Sequence, residues 1–160
     1  MCLIINRLYH KMGGENEDYR PRHLTAQEDI LVYKLLLHTP WGGVFTPYQY
    51  MPISFWDGRY NYVSTFTFAL NEEGDDCVVE GCHAYHSYDR AELIDNGTFN
   101  SRIHRAVIPK GTKFYVGLFG DIVSENLIII NDLDEETGMK GLEPITFADY
   151  TCKYLLPLTY

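Results

Sequence analysis

Cys77, Cys82, His83 and His86 form the densest run of potential metal ligands in the chain. Zinc needs four thiolate or imidazole ligands converging as a tetrahedron. The spacing Cys77-x4-Cys82-His83-x2-His86 departs from the common zinc knuckle, and neighbouring residues of a strand point to opposite faces. The expectation is core cysteines, a surface or site histidine, and neither a metal nor another cofactor. Cys2 offers a different chemistry. With Met1 removed it carries a thiol and a free amine on one residue, the arrangement of N-terminal nucleophile hydrolases, where the α-amine acts as base for its own side chain. The alternative for Cys2 is a small buried residue on the first strand.

No phosphate-cradling GxxxxGK[ST], no GxGxxG and no GxSxG occurs. What remains is a set of polar residues on predicted strands: Lys34, Tyr48, His83, Tyr85 and Glu125. Lys34, Tyr48, His83 and Tyr85 are the candidates for binding a ligand, and Glu125 is the candidate for catalysis. They make a site only if the fold gathers them in one cleft.

The elements that must do the gathering are mostly strands. An N-terminal strand precedes a polar loop over 11–24. Ile30 to Leu37 is a short apolar run bounded by Pro40 and Gly42-Gly43, read as a buried strand. Val44 to Tyr48 follows, with Pro47 placing it at an edge or a strand end. Residues 60–70 alternate as one strand, Asn71 to Asp76 is an acidic turn, and Val78 to Tyr85 is a strand interrupted by Gly81. Ser87 is a natural N-cap for a helix over 88–95, with Asp89 in its first turn and Asn96-Gly97 ending it. Arg102 to Ile108 and Thr112 to Leu118 flank a turn at Pro109-Lys110-Gly111. Asn126 to Ile130 is an apolar strand, Asp132 to Gly141 an acidic loop, Phe147 to Lys153 a short helix, and Tyr154-Leu155-Leu156 a final strand. The sum is an α+β, sheet-dominated single domain over 1–160, with about seven short strands and one or two short helices.

Composition narrows the partners. The 160 residues include 13 Tyr and 8 Phe, which suit strands and half-wet surfaces. A net charge of −9 argues against direct binding of a nucleic-acid backbone. It suits solubility or a basic partner. No apolar run approaches the ~20 residues of a membrane span. The start has no long apolar segment and no small-residue cleavage site, so it does not read as a secretory signal. The expected setting is therefore the cytoplasm, with the four cysteines as reduced thiols.

Two resemblances add to this. Glu28-Asp29-Ile30-x-x-Tyr33-Lys34-x-Leu36, Thr46-Pro47-Tyr48, Gly81-x-His83 and Ile108-Pro109-Lys110-Gly111-Thr112-Lys113-Phe114-Tyr115-x-Gly117 resemble an uncharacterised family of small proteins in phages and gut bacteria. That likeness spans roughly residues 25–130, brings no known activity and implies a phage-encoded protein in a bacterial host cell. More distantly, the order of elements is similar to the ADP-ribosyltransferase fold. The passage Gly81-Cys82-His83-Ala84-Tyr85, a helix holding Ala91, and the strand Arg102 to Ile108 carry the likeness, with Glu125-Asn126-Leu127-Ile128-Ile129 and Tyr150 to Leu158. It implies that Glu125 stabilises an oxocarbenium-like transition state on NAD and that His83 or Tyr85 lines the pocket. Lys34 then stands where that family has His or Arg, without the planar fork of Arg.

With one first-strand position altered, the expectation is a non-catalytic binding module for a nucleotide-like ligand or a protein partner. The alternatives are an ADP-ribosyltransferase-like enzyme acting on NAD, a Cys2 nucleophile hydrolase, and a small virion or assembly protein.

Overall fold

The apolar run that begins at Ile30 is the longest strand in the computed structural model, which describes residues 2–13, 20–47, 49–94 and 100–155. In chain order the elements begin with β1 (Leu3–Ile4), β2 (Leu24–Thr25), β3 (Ile30–His38), β4 (Val44–Phe45), β5 (Arg59–Val63) and β6 (Thr67–Leu70). Then come β7 (Asp76–Glu80), β8 (Cys82–Tyr85), α1 (Tyr88–Ile94), β9 (Ser101–Ile108), β10 (Lys113–Val116), β11 (Asp121–Ser124) and β12 (Asn126–Ile130). A 3-10 turn at Asp132–Asp134, α2 (Glu135–Met139), β13 (Ile145–Thr146) and α3 (Phe147–Tyr154) complete the described residues. None of the helices is long and apolar enough to cross a membrane.

Ten strands form one sheet with the path β2-β10-β11-β8-β3-β9-β12-β5, and β13 and β4 add to the side of β3. β1, β7 and β6 form a separate three-stranded sheet. One edge of β3 is paired along its length with β9, from Ile30↔Ile108 to Leu37↔Ser101. Its other edge is divided among three short neighbours. β13 runs parallel to it at Ile30 and Leu31, β8 meets it at Tyr33↔Tyr85, and β4 pairs with Leu37 and His38.

Period-two alternation sends Ile30, Val32 and Leu36 of β3 to the same interior as Ala106, Ile108, Phe114, Ile122 and Ile129. The long sheet curls around this core. Cys82 Sγ on β8 comes within 3.5 Å of the Tyr62 carbonyl on β5, at the far end of the strand order. From α3, Phe147 and Tyr150 close the core, with Tyr150 edge-on to Phe114 at 5.9 Å. The small sheet has its own apolar centre of Leu3, Ile5 and Val78 under Phe66 and Phe68, joined to the long sheet by Tyr115 and Val123.

Several expectations meet the structure directly. β3, β9 and β12 occupy the apolar runs. Ser87 Oγ accepts the Arg90 N–H at 3.1 Å and caps α1. The Asn96-Gly97 stop lies outside the described residues. Others are corrected. The described residues hold thirteen strands rather than about seven. Residues 60–70 are two strands, β5 and β6, that belong to different sheets. The run 78–85 is likewise split, because Gly81 turns the chain from the small sheet into the long one. The Gly117-Leu118-Phe119-Gly120 stretch is a hairpin turn, followed by β11, which polar Asp121 and Ser124 had hidden. Residues 132–141 hold a 3-10 turn and α2 rather than a loop. Gly138 permits this, since a Cβ there would meet the Gly58 carbonyl at 2.4 Å. Tyr154 ends α3 instead of opening a strand, because the Leu155 N–H continues the helical bonding to Thr151 O. Leu156 lies outside the described residues.

Gly81 has φ +152°, and a Cβ there would approach Val123 Cγ2 to 2.5 Å. Gly74 also has positive φ but faces open space. Gly81→Ala should therefore cost about 2 kcal/mol or more in denaturant unfolding, against about 1 kcal/mol for Gly74→Ala. Equal costs would contradict the role given to Gly81.

Candidate functional site

Beyond Tyr33↔Tyr85, β3 and β8 diverge instead of continuing their ladder. The gap is a cleft of about 60 Å³, or about 590 Å³ with the mouth that opens to solvent. A water occupies roughly 10–15 Å³ on the smaller measure, so the inner part holds several waters or one carboxylate or phosphoryl group.

Lys34 on β3 projects into this gap. It is 8% exposed, and its Nζ donates to the His83 carbonyl at 2.7 Å. That bond bridges the two strands where their separation removes the direct pairing. The Tyr62 ring lies with its centroid 6.0 Å from Nζ. Among the described residues, no carboxylate pairs with Lys34. Burial pulls its pKa down to about 8, because a charged ammonium is disfavoured away from water.

The neighbouring groups are neutral. His83 Nε2 stands 3.1 Å from the Val79 carbonyl, which assigns its proton to Nε2 and leaves Nδ1 as an acceptor. Nδ1 is enclosed without a partner among the described residues. Burial lowers the His83 pKa to about 4. Burial pushes the Tyr62 hydroxyl and the Cys82 thiol up, each to about 12. Cys82 is therefore an inert core thiol.

The outer wall is the segment after β4. Thr46 is buried and ties it down. Its Oγ1 accepts the Met51 N–H at 3.0 Å, and its carbonyl accepts the Tyr50 N–H at 3.1 Å. Tyr50 is thereby held at φ +51°, a conformation costly for a non-glycine residue. Pro47 and Gln49 of this segment face the cleft.

The structure thus brings Lys34, His83 and Tyr85 into one cleft. Tyr48 lies outside the described residues. Glu125 is not in the cleft. It forms the junction of β11 and β12, with its N–H donating to Lys113 O and its carbonyl accepting from Ser64 N, both at 3.1 Å. Sequence reasoning missed Tyr62 and Thr46, because nothing separates them from the other Tyr and Thr of a Tyr-rich chain.

The Cys/His run disperses. Cys77 sits in the small sheet opposite Ile4, Cys82 is in the main core, His83 is in the cleft, and His86 stacks on Phe147 at 5.0 Å. Among the described residues, no three His, Cys, Asp or Glu side chains converge on a metal position. Cys2 is exposed at the start of β1.

A second polar group, also missed, lies at the other end of β3. His38 Nε2 and His104 Nε2 are 2.8 Å apart in parallel rings. His104 is fully buried, and its Nδ1 stands 2.9 Å from Ile130 O and 3.0 Å from Asp132 Oδ1. One proton fits between the two Nε2 atoms. Burial and the His104 neighbour lower the His38 pKa. No protein-family model, curated protein or solved structure matches this chain.

Buried neutral histidines set an acid limit. His10 accepts the Val116 N–H at Nε2 and donates from Nδ1 to Arg22 O, and its pKa falls to about 4, chiefly through burial. The folded pKa values of His10 and His83 lie below the unfolded value near 6.5, so the unfolded chain binds protons first. Their stabilisation is present above pH ~6.5 and is lost as pH falls towards 4, by at most roughly 3 kcal/mol for each. Denaturation midpoints measured across this range should fall with pH, and His83→Gln should fall less steeply. An identical slope in the variant would contradict the assignment of a neutral His83.

Proposed function

We propose that the chain is a ligand-binding module whose β3–β8 cleft takes the anionic group of a small, nucleotide-like ligand. The observation that carries this is the Lys34 ammonium, buried beside a cavity with no carboxylate partner among the described residues. Burying an unpaired charge is costly, and a ligand that supplies the opposite charge recovers that cost on binding. The inner volume suits a phosphoryl or carboxylate group, while the Tyr62 and Tyr85 walls suit a ring behind it. NAD chemistry of the ADP-ribosyltransferase kind is the weaker reading, since Glu125 stands at the β11–β12 junction and not beside Lys34.

A protein partner is the second reading. Tyr88 and Leu93 of α1 and Leu118 and Phe119 of the β10–β11 turn are all exposed. The Arg90 guanidinium joins the two elements by donating to Phe119 O. Exposed apolar side chains held side by side mark interaction surfaces.

Titration calorimetry with nucleoside monophosphates, cyclic dinucleotides, phosphate and acetate tests the first reading. Lys34→Met should weaken anion binding about tenfold to a hundredfold, the loss of a charge-assisted hydrogen bond. In the free protein the same variant removes a buried charge and also the donor to the His83 carbonyl, so stability at neutral pH should fall by no more than about 1–3 kcal/mol. Anion affinity unchanged in Lys34→Met, or no binding of any of these compounds, would overturn the reading.

A further inference from the structure

We propose that Lys34 is a covalent capture site, its amine condensing with the carbonyl carbon of a small 2-oxo acid that enters the β3–β8 cleft. This rests on the anion-binding reading and deepens it, since the carboxylate of the 2-oxo acid is the anionic group that the cleft takes.

Three observations favour it. Lys34 is the buried lysine of the chain, whereas Lys11, Lys110, Lys113, Lys140 and Lys153 are exposed. Its Nζ donates one N–H to His83 O, and a cavity large enough for a carboxylate-sized fragment lies beside it. Among the described residues at the cleft, the Cys82 thiol is kept protonated and the neutral His83 imidazole has no N–H pair to lose as water, so neither forms an imine. Desolvation also raises the fraction of free amine. With a pKa of about 8, about a quarter of Lys34 is uncharged near pH 7.5, against about a thousandth of an ordinary lysine.

The chemistry balances without a redox partner. The ammonium first releases a proton to solvent at the mouth. The nitrogen lone pair forms a bond to the carbonyl carbon while the C=O π pair moves to oxygen. The two remaining N–H protons pass to that oxygen, which leaves as water when the C=N bond forms. The imine nitrogen then takes a proton from solvent, and the ligand carboxylate pairs the resulting iminium.

The test uses the full chain with glyoxylate as probe, sodium cyanoborohydride to fix any imine, and peptide mapping by mass spectrometry. Lys34 should acquire the carboxymethyl group at least about tenfold faster than each exposed lysine, and excess acetate should slow Lys34 alone. Lys34→Arg cannot condense and should lose the fast adduct, whereas Lys110→Arg, at an exposed lysine, should keep it. Labelling of Lys34 no faster than of the exposed lysines overturns the inference. If glyoxylate binds reversibly in a Lys34-dependent way yet leaves no reduced adduct, the covalent step falls and anion binding stands. If neither glyoxylate nor phosphate binds, both fall.

Discussion

The bond from the Lys34 ammonium to the His83 carbonyl sits where two strands stop pairing. β3 and β8 share one bridge, Tyr33↔Tyr85, and then separate. Left open, that separation would bury a strand carbonyl without a donor. Lys34 supplies the donor and so holds the gap at a fixed width. The cleft and its charge both follow from this substitution of a side-chain bond for a backbone one. So does the unusual state of Lys34, which is buried without an opposite charge among the described residues.

The surrounding architecture explains why the gap persists. β3 cannot relax towards β8, because its other edge is paired along its length with β9. β8 cannot relax towards β3, because it is registered on β11 over four residues, Cys82 to Tyr85. At the start of β8, Gly81 directs the preceding chain into the small sheet. Thr46 pins the outer wall, with Tyr50 held in a costly conformation. Polar groups on the interior side of β3 continue beyond the cleft, since His104 lies directly across from Lys34 and bonds His38. A core this polar is a poor choice for stability alone, and its retention fits a site.

Much of this framework was legible in the sequence. The run from Ile30, the Ser87 cap, and the apolar strands over β9 and β12 carry strong local signals that tertiary packing reinforces. Lys34, His83 and Tyr85 were singled out as polar residues on strands, and the fold does gather them. What was not legible depends on distant partners. Residues 60–70 alternate throughout, so period two cannot show that β5 and β6 belong to different sheets. Asp121 and Ser124 look like turn residues, yet they are buried in β11, where Asp121 accepts the Phe119 N–H at 3.3 Å. The Asp57-Gly58 pair is a hairpin signal in the sequence. Both residues have positive φ, +50° and +76°, and the turn joins Trp56 to Arg59. α2 depends on Gly138 meeting Gly58, and the His38–His104 pair spans 66 residues. Glu125 was suggested by the order of elements, and order alone did not place it in the cleft.

The central claim is that Lys34 is an uncompensated, desolvated cation awaiting an anion. The direct measurement is a titration of the Lys34 ammonium by NMR, in the presence and absence of phosphate. The account predicts titration near pH 8 in the free protein. Phosphate should raise that value, because a bound anion favours the charged form. A Lys34 that titrates near the ordinary lysine value of about 10.4, with or without phosphate, would contradict it.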